Sequence, residues 1–212
     1  MDAHMQDWLQ ETGVIAIARG VAEGDILPLA DALYQGGVRL MEVTLNTPGA
    51  LEMIRTLKGV YGEEMGIGAG TVMSVEEARA AKLAGARYLV TPHVDVDLIR
   101  YGVDQGLPVF AGALTPTEIA TAHQAGASLI KVFPSASVGS GYFRDLRGPF
   151  PDIPLLAVGG VNLDNAAEFL AAGAVGWGLG SSLVDKRRLA TRDFAAIQAI
   201  ARRFVEVYQA YA

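Results

Sequence analysis

Short apolar runs alternate along the chain with longer segments whose apolar positions recur every three or four residues, the pattern of strands followed by amphipathic helices. Eight strand-like runs are present: VIAIA from Val14, LMEVT from Leu40, GIGAG from Gly66, YLVT from Tyr88, PVFAG from Pro108, SLIKVF from Ser128, PLLAVGG from Pro154 and VGWGLG from Val175. Helix-like segments such as DILPLADALYQGG, TPGALEMIRTLKGVYG, SVEEARAAKLAGA, TPTEIATAHQAGA and LDNAAEFLAAGA lie between them. The triplet AGA recurs at 84–86, 125–127 and 172–174. Each copy predicts the same event, a helix that ends on a glycine able to adopt a left-handed backbone and then feeds the next strand. Asp95 and Asp97 read as a helix start, where carboxylates favour the positive end of the dipole.

Repeated eight times, this unit predicts an α/β fold, a closed (β/α)8 barrel forming one domain over residues 1–212. Met5 to Thr12 is the short N-terminal capping helix and Thr191 to Tyr211 the closing one. A doubly wound open sheet is the alternative, but such sheets usually carry a nucleotide fingerprint at the first turn. Neither G-x-G-x-x-G nor G-x-x-x-x-G-K-[ST] occurs.

Composition narrows the function. With 51% hydrophobic and 19% charged residues, 212 residues suffice for one sizeable core. The net charge is −6, and the 17 Lys and Arg are spread among 23 Asp and Glu, so no basic stripe exists to neutralise a nucleic-acid backbone. Cysteine is absent, which excludes disulfides and thiolate chemistry. The start MDAHMQDWLQETG carries acids and no basic region before an apolar stretch, unlike a secretory signal, and no apolar run approaches a membrane span. A cytoplasmic protein without membrane or nucleic-acid partners is expected.

Against this background Lys131 stands out, because it interrupts the apolar run of ASLIKVFPS. The other three lysines, Lys58, Lys82 and Lys186, occupy polar settings. Burial disfavours the ammonium form, so a lysine at the mouth of an apolar pocket becomes a neutral amine able to attack a carbonyl and form a Schiff base. The bland alternative is a strand-end lysine that snorkels its head to water.

In a barrel the reacting groups sit where strands end. Arg19 ends the first strand, Glu42 lies in the second ahead of Thr44 and Asn46, Thr71 ends the third, Thr91 and Pro92 the fourth, and Lys131 and Phe133 the sixth. Alternation puts Ile15, Ile17 and Arg19 on one face, and Leu129, Lys131 and Phe133 on one face. Glu42 is a carboxylate inside an apolar segment, where burial raises proton affinity unless a cation stands beside it. Lys131 and Glu42 together supply the amine and the proton carrier of imine aldol chemistry. A structural ion pair of Glu42 with Arg19 or Lys131 is the competing reading.

Glycine-rich stretches follow the last two strands, AVGGVN at 157–162 and GLGSS at 178–182. Exposed N–H groups at a turn after the seventh strand and at a helix start after the eighth make an anion site, to which Ser181 or Ser182 adds a hydroxyl or N-cap. A phosphorylated substrate is the expectation, held by amide dipoles rather than by a basic surface. His4, His93 and His123 show no metal-ligand spacing, and only His93 follows a strand end closely enough to border a pocket. Trp177 and Phe133 are either cavity wall or core.

With Glu42, Thr71, Lys131, the glycine pair at 159–160 and GS at 180–181 in this order, the chain resembles the class I aldolases of 2-keto-3-deoxy-6-phosphosugar acids. The motifs IARG, MEVTLNTP, GAGTV, LVTP, IKVFP, AVGGV and GLGSS carry the resemblance over nearly the whole chain. It implies cleavage of a phosphorylated keto acid to pyruvate and glyceraldehyde 3-phosphate, in a homotrimer and without metal or other cofactor. Lys131 is then the Schiff-base lysine and Glu42 the general acid/base. Arg19 and Thr71 hold the pyruvyl carboxylate or its neighbourhood, Pro92 and Phe133 wall the pocket, and Gly159, Gly160, Gly180 and Ser181 take the phosphate. Asn46 and Val158 resemble the subgroup acting on 2-dehydro-3-deoxy-6-phosphogalactonate, where members acting on the gluconate-derived epimer tend to have Arg and Thr; an aldolase of the gluconate-derived epimer or of 4-hydroxy-2-oxoglutarate is the alternative. Two other functions remain open on the residues alone. One is a phosphate-binding barrel that isomerises or epimerises its substrate without an imine; the other is an inactive sugar-phosphate sensor.

Overall fold

A computed structural model describes residues 3–211; the remaining ends of the expected 1–212 span, Met1, Asp2 and Ala212, lie outside the described residues. The eight strands are β1 Val14–Ala18, β2 Leu40–Thr44, β3 Gly66–Gly70, β4 Leu89–Val90, β5 Val109–Ala113, β6 Leu129–Val132, β7 Leu155–Val158 and β8 Gly176–Leu179. All neighbours pair in parallel, and β8 returns to β1, so the barrel is closed. Closure leaves no sheet edge to solvent.

Helices follow the strands as the alternation requires. They are α1 Ala3–Thr12, α2 Ile26–Gln35, α3 Ala50–Tyr61, α4 Val75–Ala84, α5 Val96–Asp104, α6 Pro116–Gln124, α7 Ser135–Leu146, α8 Ala166–Ala171, α9 Lys186–Ala190 and α10 Phe194–Tyr211. Their starts carry local chemistry: Ser74 accepts from the Glu77 N–H, Asp95 accepts from Asp97 and Leu98, and Thr115 forms a reciprocal capping box with Glu118. The AGA triplets act alike, with Gly85, Gly126 and Gly173 at φ 99°, 100° and 99°. Helix α7, broken at Gly139, and the short α9 were not marked by the periodicity, and the closing helix begins at Phe194 rather than Thr191.

Two apolar layers result. Outward side chains of the strands pack under the helices, with Trp177 among them, its indole N–H donating to the Ala166 carbonyl at 3.0 Å. Trp177 is therefore core and not cavity wall. Inside the barrel, Met5 and Leu9 of α1 plug one end against Ile15, Leu40, Leu129 and Leu156, with Tyr88 and Phe110 stacked in the same cluster. β3 contributes no side chain here: Cβ atoms at Gly66, Gly68 and Gly70 would fall 2.6, 2.4 and 2.5 Å from Leu40, Tyr88 and Glu42. Three glycines at period two thus clear room for three large neighbours. The polar end of the barrel, where the strands finish, is left for the site.

Candidate active site

A cleft of about 800 Å³ opens at the C-terminal ends of the strands. It is lined by Arg19, Thr71, Pro92, Lys131, Phe133, Val158, Gly159, Gly160, Gly180 and Ser181, all expected from the sequence. Lys131 lies at its floor, 5% exposed, and Val158, Ile17 and Gly178 are shared with a second, much smaller cavity of about 10 Å³ beneath it. Glu42 borders only that inner cavity and is 2% exposed. The Lys131 side chain therefore lies between the open cleft and the inner cavity, and the Glu42 carboxylate borders only the inner one.

Burial lowers the proton affinity of Lys131; the Glu42 charge opposes that shift and the Arg19 charge adds to it. Burial likewise raises Glu42, while the Lys131 and then the Arg19 charges pull it back. Each group is thus pushed toward its neutral form, which is the direction a nucleophilic amine and a proton carrier require. Among the described residues neither side chain forms a direct hydrogen bond or ion pair, so the structural ion pair considered for Glu42 is not formed. The Lys131 Nζ lies 5.2 Å from the Phe133 ring centroid, a contact that also favours a cation when one is present.

Arg19 is held at the rim by two bonds. Its Nη1 donates to Asn46 Oδ1 at 3.1 Å and its Nη2 to Thr71 Oγ1 at 3.0 Å. Asn46 does not line the cleft, so its route to the site runs through the Arg19 guanidinium. Thr71 takes φ 56°, a left-handed backbone that a β-branched residue rarely adopts, and strain of this kind collects at functional sites. Behind this cluster, Thr44 bonds Thr47, whose Oγ1 accepts the Gly20 N–H, tying the loops after β1 and β2 together.

The glycine pair after β7 sits at φ 90° and 79°. Side chains there would strike neighbours: a Gly159 Cβ falls 3.0 Å from the Phe133 ring and a Gly160 Cβ 2.3 Å from the Ala136 Cβ. Ser135 locks this corner, donating to the Val132 carbonyl and accepting the Val158 N–H. Among the described residues, the N–H groups of Gly160, Ser181 and Ser182 donate to no protein acceptor. They leave donors for an anion at the cleft end nearest β7 and β8.

Three sequence expectations are corrected. No helix begins at Ser181 or Ser182; these residues form a turn, and α9 starts at Lys186, capped by Asp185. The anion donors are therefore turn amides and not a helix N-terminus. His93 is exposed and outside the cleft lining, its carbonyl taken by Thr91 Oγ1 at 2.7 Å. Lys186, read as an ordinary polar lysine, lines the cleft with Asn162, Ser182 and Asp185. Arg19 and Lys186 give this acidic chain a cleft with two cationic side chains, a local arrangement the net charge hides. Among the described residues no group of three or more His, Cys, Asp or Glu side chains could hold a metal, and no helix is long and apolar enough to cross a membrane.

Comparison with known proteins agrees with the geometry. The family model "KDPG and KHG aldolase" matches residues 5–200. The 2-dehydro-3-deoxy-6-phosphogalactonate aldolase of Escherichia coli K12 is 35% identical over 203 residues, 95% of this chain and 99% of that protein. The 2-dehydro-3-deoxy-phosphogluconate aldolase of Pseudomonas aeruginosa is also 35% identical, over 205 residues, 96% of this chain and 93% of that one. A crystal structure of the KDPG aldolase of Legionella pneumophila, with pyruvate captured as a covalent carbinolamine intermediate, superposes with a TM-score of 0.87 at 28% identity, covering 93% of this chain and 96% of that chain.

Proposed function

The chain belongs to the KDPG and KHG aldolase family, and from that premise we propose that it reversibly cleaves 2-dehydro-3-deoxy-6-phosphogalactonate to pyruvate and glyceraldehyde 3-phosphate through an imine on Lys131. As an aldolase it is a carbon–carbon lyase. The observation that carries the reading is the pairing of a buried, neutral-leaning amine at the cleft floor with a buried, neutral-leaning carboxyl behind it.

In the forward direction the Lys131 amine adds to the C2 carbonyl, giving a carbinolamine. Glu42 protonates the departing hydroxyl, and loss of water leaves a protonated imine. The C4 hydroxyl then gives up its proton to a base, for which Glu42 is the candidate. The C3–C4 bond breaks, its electron pair moves into the iminium, and the aldehyde is released with an enamine left behind. Protonation of the enamine at C3 and hydrolysis of the imine return pyruvate and free Lys131. Arg19, aligned by Asn46 and Thr71, suits the substrate carboxylate. The turn amides after β7 and β8, with Lys186 beside them, suit the terminal phosphate.

A second substrate reading has a specific observation behind it, since relatives named for the galactonate-derived and the gluconate-derived substrate match at the same 35% identity. Val158 and Asn46 favour the former. Val158 cannot hydrogen-bond a substrate hydroxyl, and the two substrates differ in the side on which C4 carries one. A missing contact of that kind is worth about 1–3 kcal/mol, a preference rather than exclusion. The homotrimer and the cytoplasmic location belong to the same proposal. Its test is the ratio of kcat/KM for pyruvate release from the two C4 epimers, with Lys131→Met as the inactive control. A ratio favouring the galactonate-derived epimer supports the assignment; the reverse ratio moves the chain to the gluconate-specific group. No pyruvate from either removes the aldol reading.

A further inference from the structure

The barrel interior holds one polar group that the proposed chemistry leaves unused. Tyr88 is fully buried and its hydroxyl has no hydrogen-bond partner. An unpaired hydroxyl in an apolar interior is destabilising, so its retention calls for a role. Its ring stacks on Phe110 with 4.8 Å between centroids and 26° between planes, which fixes the ring's direction.

Glu42 and Tyr88 flank Gly68 in one row across the barrel wall. Glu42 pairs with Gly68 on one side, and the pairing of Ala69 with Leu89 sets Tyr88 beside Gly68 on the other. Both side chains lie over the same bare strip of β3. A Gly68 Cβ would come within 2.4 Å of the Tyr88 Cε2 and Cζ, and a Gly70 Cβ within 2.5 Å of the Glu42 Oε1. The phenol end of one residue and the carboxylate of the other therefore occupy adjacent steps of one strand.

We propose that Tyr88 is a positioning residue for Glu42: its hydroxyl donates a hydrogen bond to the ionised carboxylate, which turns over the Gly68–Gly70 strip to receive it. The inference rests on Glu42 as the proton carrier of the aldol reaction. The bond would hold the carboxylate in one orientation and lower its proton affinity against the burial that raises it, keeping the group able to both take and give a proton. The donor is always present. Burial, and after it the Glu42 charge, hold the Tyr88 phenol well above its ordinary value, so it keeps its proton. The other charged groups facing Glu42 are Lys131 from β6 and Arg19 from the end of β1. On the remaining walls β3 presents Gly68 and Gly70, β5 Phe110 and Gly112, β7 Leu156 and Val158, and β8 Gly178, none of them titratable. Lys131 and Arg19 act by charge; Tyr88 supplies the directional donor.

The test is Tyr88→Phe, which keeps the ring and its stack and removes a single oxygen. Titration of the Glu42 carboxyl is followed by its infrared stretch, assigned by its disappearance in Glu42→Gln. The midpoint should move up by about one pH unit, a tenfold change in proton affinity, because the ionised form loses a donor. The limb of the kcat profile governed by Glu42 should move in the same direction. An unmoved infrared midpoint overturns the proposal. The infrared reading needs no turnover, so a parent protein that releases no pyruvate would sink the aldolase reading while the Tyr88 question is still decided.

Discussion

Gly70 ends β3, and its missing side chain lets the Glu42 carboxylate lie across the barrel interior. A Cβ at this position falls 2.5 Å from Oε1, 2.7 Å from Cδ and 3.2 Å from Cγ of Glu42. Relaxed contacts between non-bonded heavy atoms lie at roughly 3.5 Å or more, so in Gly70→Ala the carboxylate has to retreat by about 1 Å. The backbone of Gly70 is not in the left-handed region, so alanine enters without backbone strain and the overpacking falls on one flexible side chain. Stability should fall by only about 1–3 kcal/mol. Activity should fall much further, because displacing a reacting group by about 1 Å costs on the order of 100-fold in rate. The assay is kcat/KM for pyruvate release coupled to lactate dehydrogenase, with circular dichroism to establish that the variant is folded. Gly59→Ala, on an open face of α3 with nothing within 4 Å of the new methyl, is the control and should keep full activity. A folded Gly70→Ala protein within about threefold of the parent would refute the reasoning that Glu42 works from this position.

Other expected outcomes follow from the same geometry. Val158→Thr adds a hydroxyl to the cleft wall and should shift the epimer ratio toward the gluconate-derived substrate by roughly 5- to 100-fold; an unmoved ratio removes Val158 as the selector. Lys131 is lowered from its ordinary value of 10.5 in the folded chain, so between its lowered value and 10.5 the unfolded state binds more protons and stability rises with pH. Lys131→Met should lose that rise in urea unfolding measured across the window, and an identical rise in both proteins would show that Lys131 is not depressed. Lys186→Ala should raise KM for the phosphorylated substrate about fivefold with kcat little changed, as befits an exposed cation at the cleft end; an unchanged KM would place Lys186 outside the phosphate contacts.

The barrel was legible because its signals are local. Apolar runs of strand length, Ser74, Asp95 and Thr115 at helix starts, and the three AGA turns each act within a few residues of themselves. Lys131 and Glu42 were legible for the opposite reason, as charges that an apolar strand cannot ignore. What stayed hidden depends on residues distant in sequence. GIGAG reads as a strand, but why its inward positions are all glycine is decided by Leu40, Glu42 and Tyr88 on neighbouring strands. Asn46 looked like a pocket residue and instead holds Arg19, a contact spanning 27 residues. Ser181 and Ser182 suggested a helix start, but the chain makes a turn first and spends its cap on Asp185. Trp177 alternates outward with its strand, a parity that the glycines around it obscured.

The central claim is a covalent imine at Lys131, and borohydride reduction in the presence of pyruvate tests it most directly. Peptide mapping by mass spectrometry should find the reduced pyruvyl adduct on the peptide containing Lys131, in the parent and not in Lys131→Met. An adduct on Lys58, Lys82 or Lys186 instead, or none under conditions that label a known imine-forming aldolase, would contradict the account.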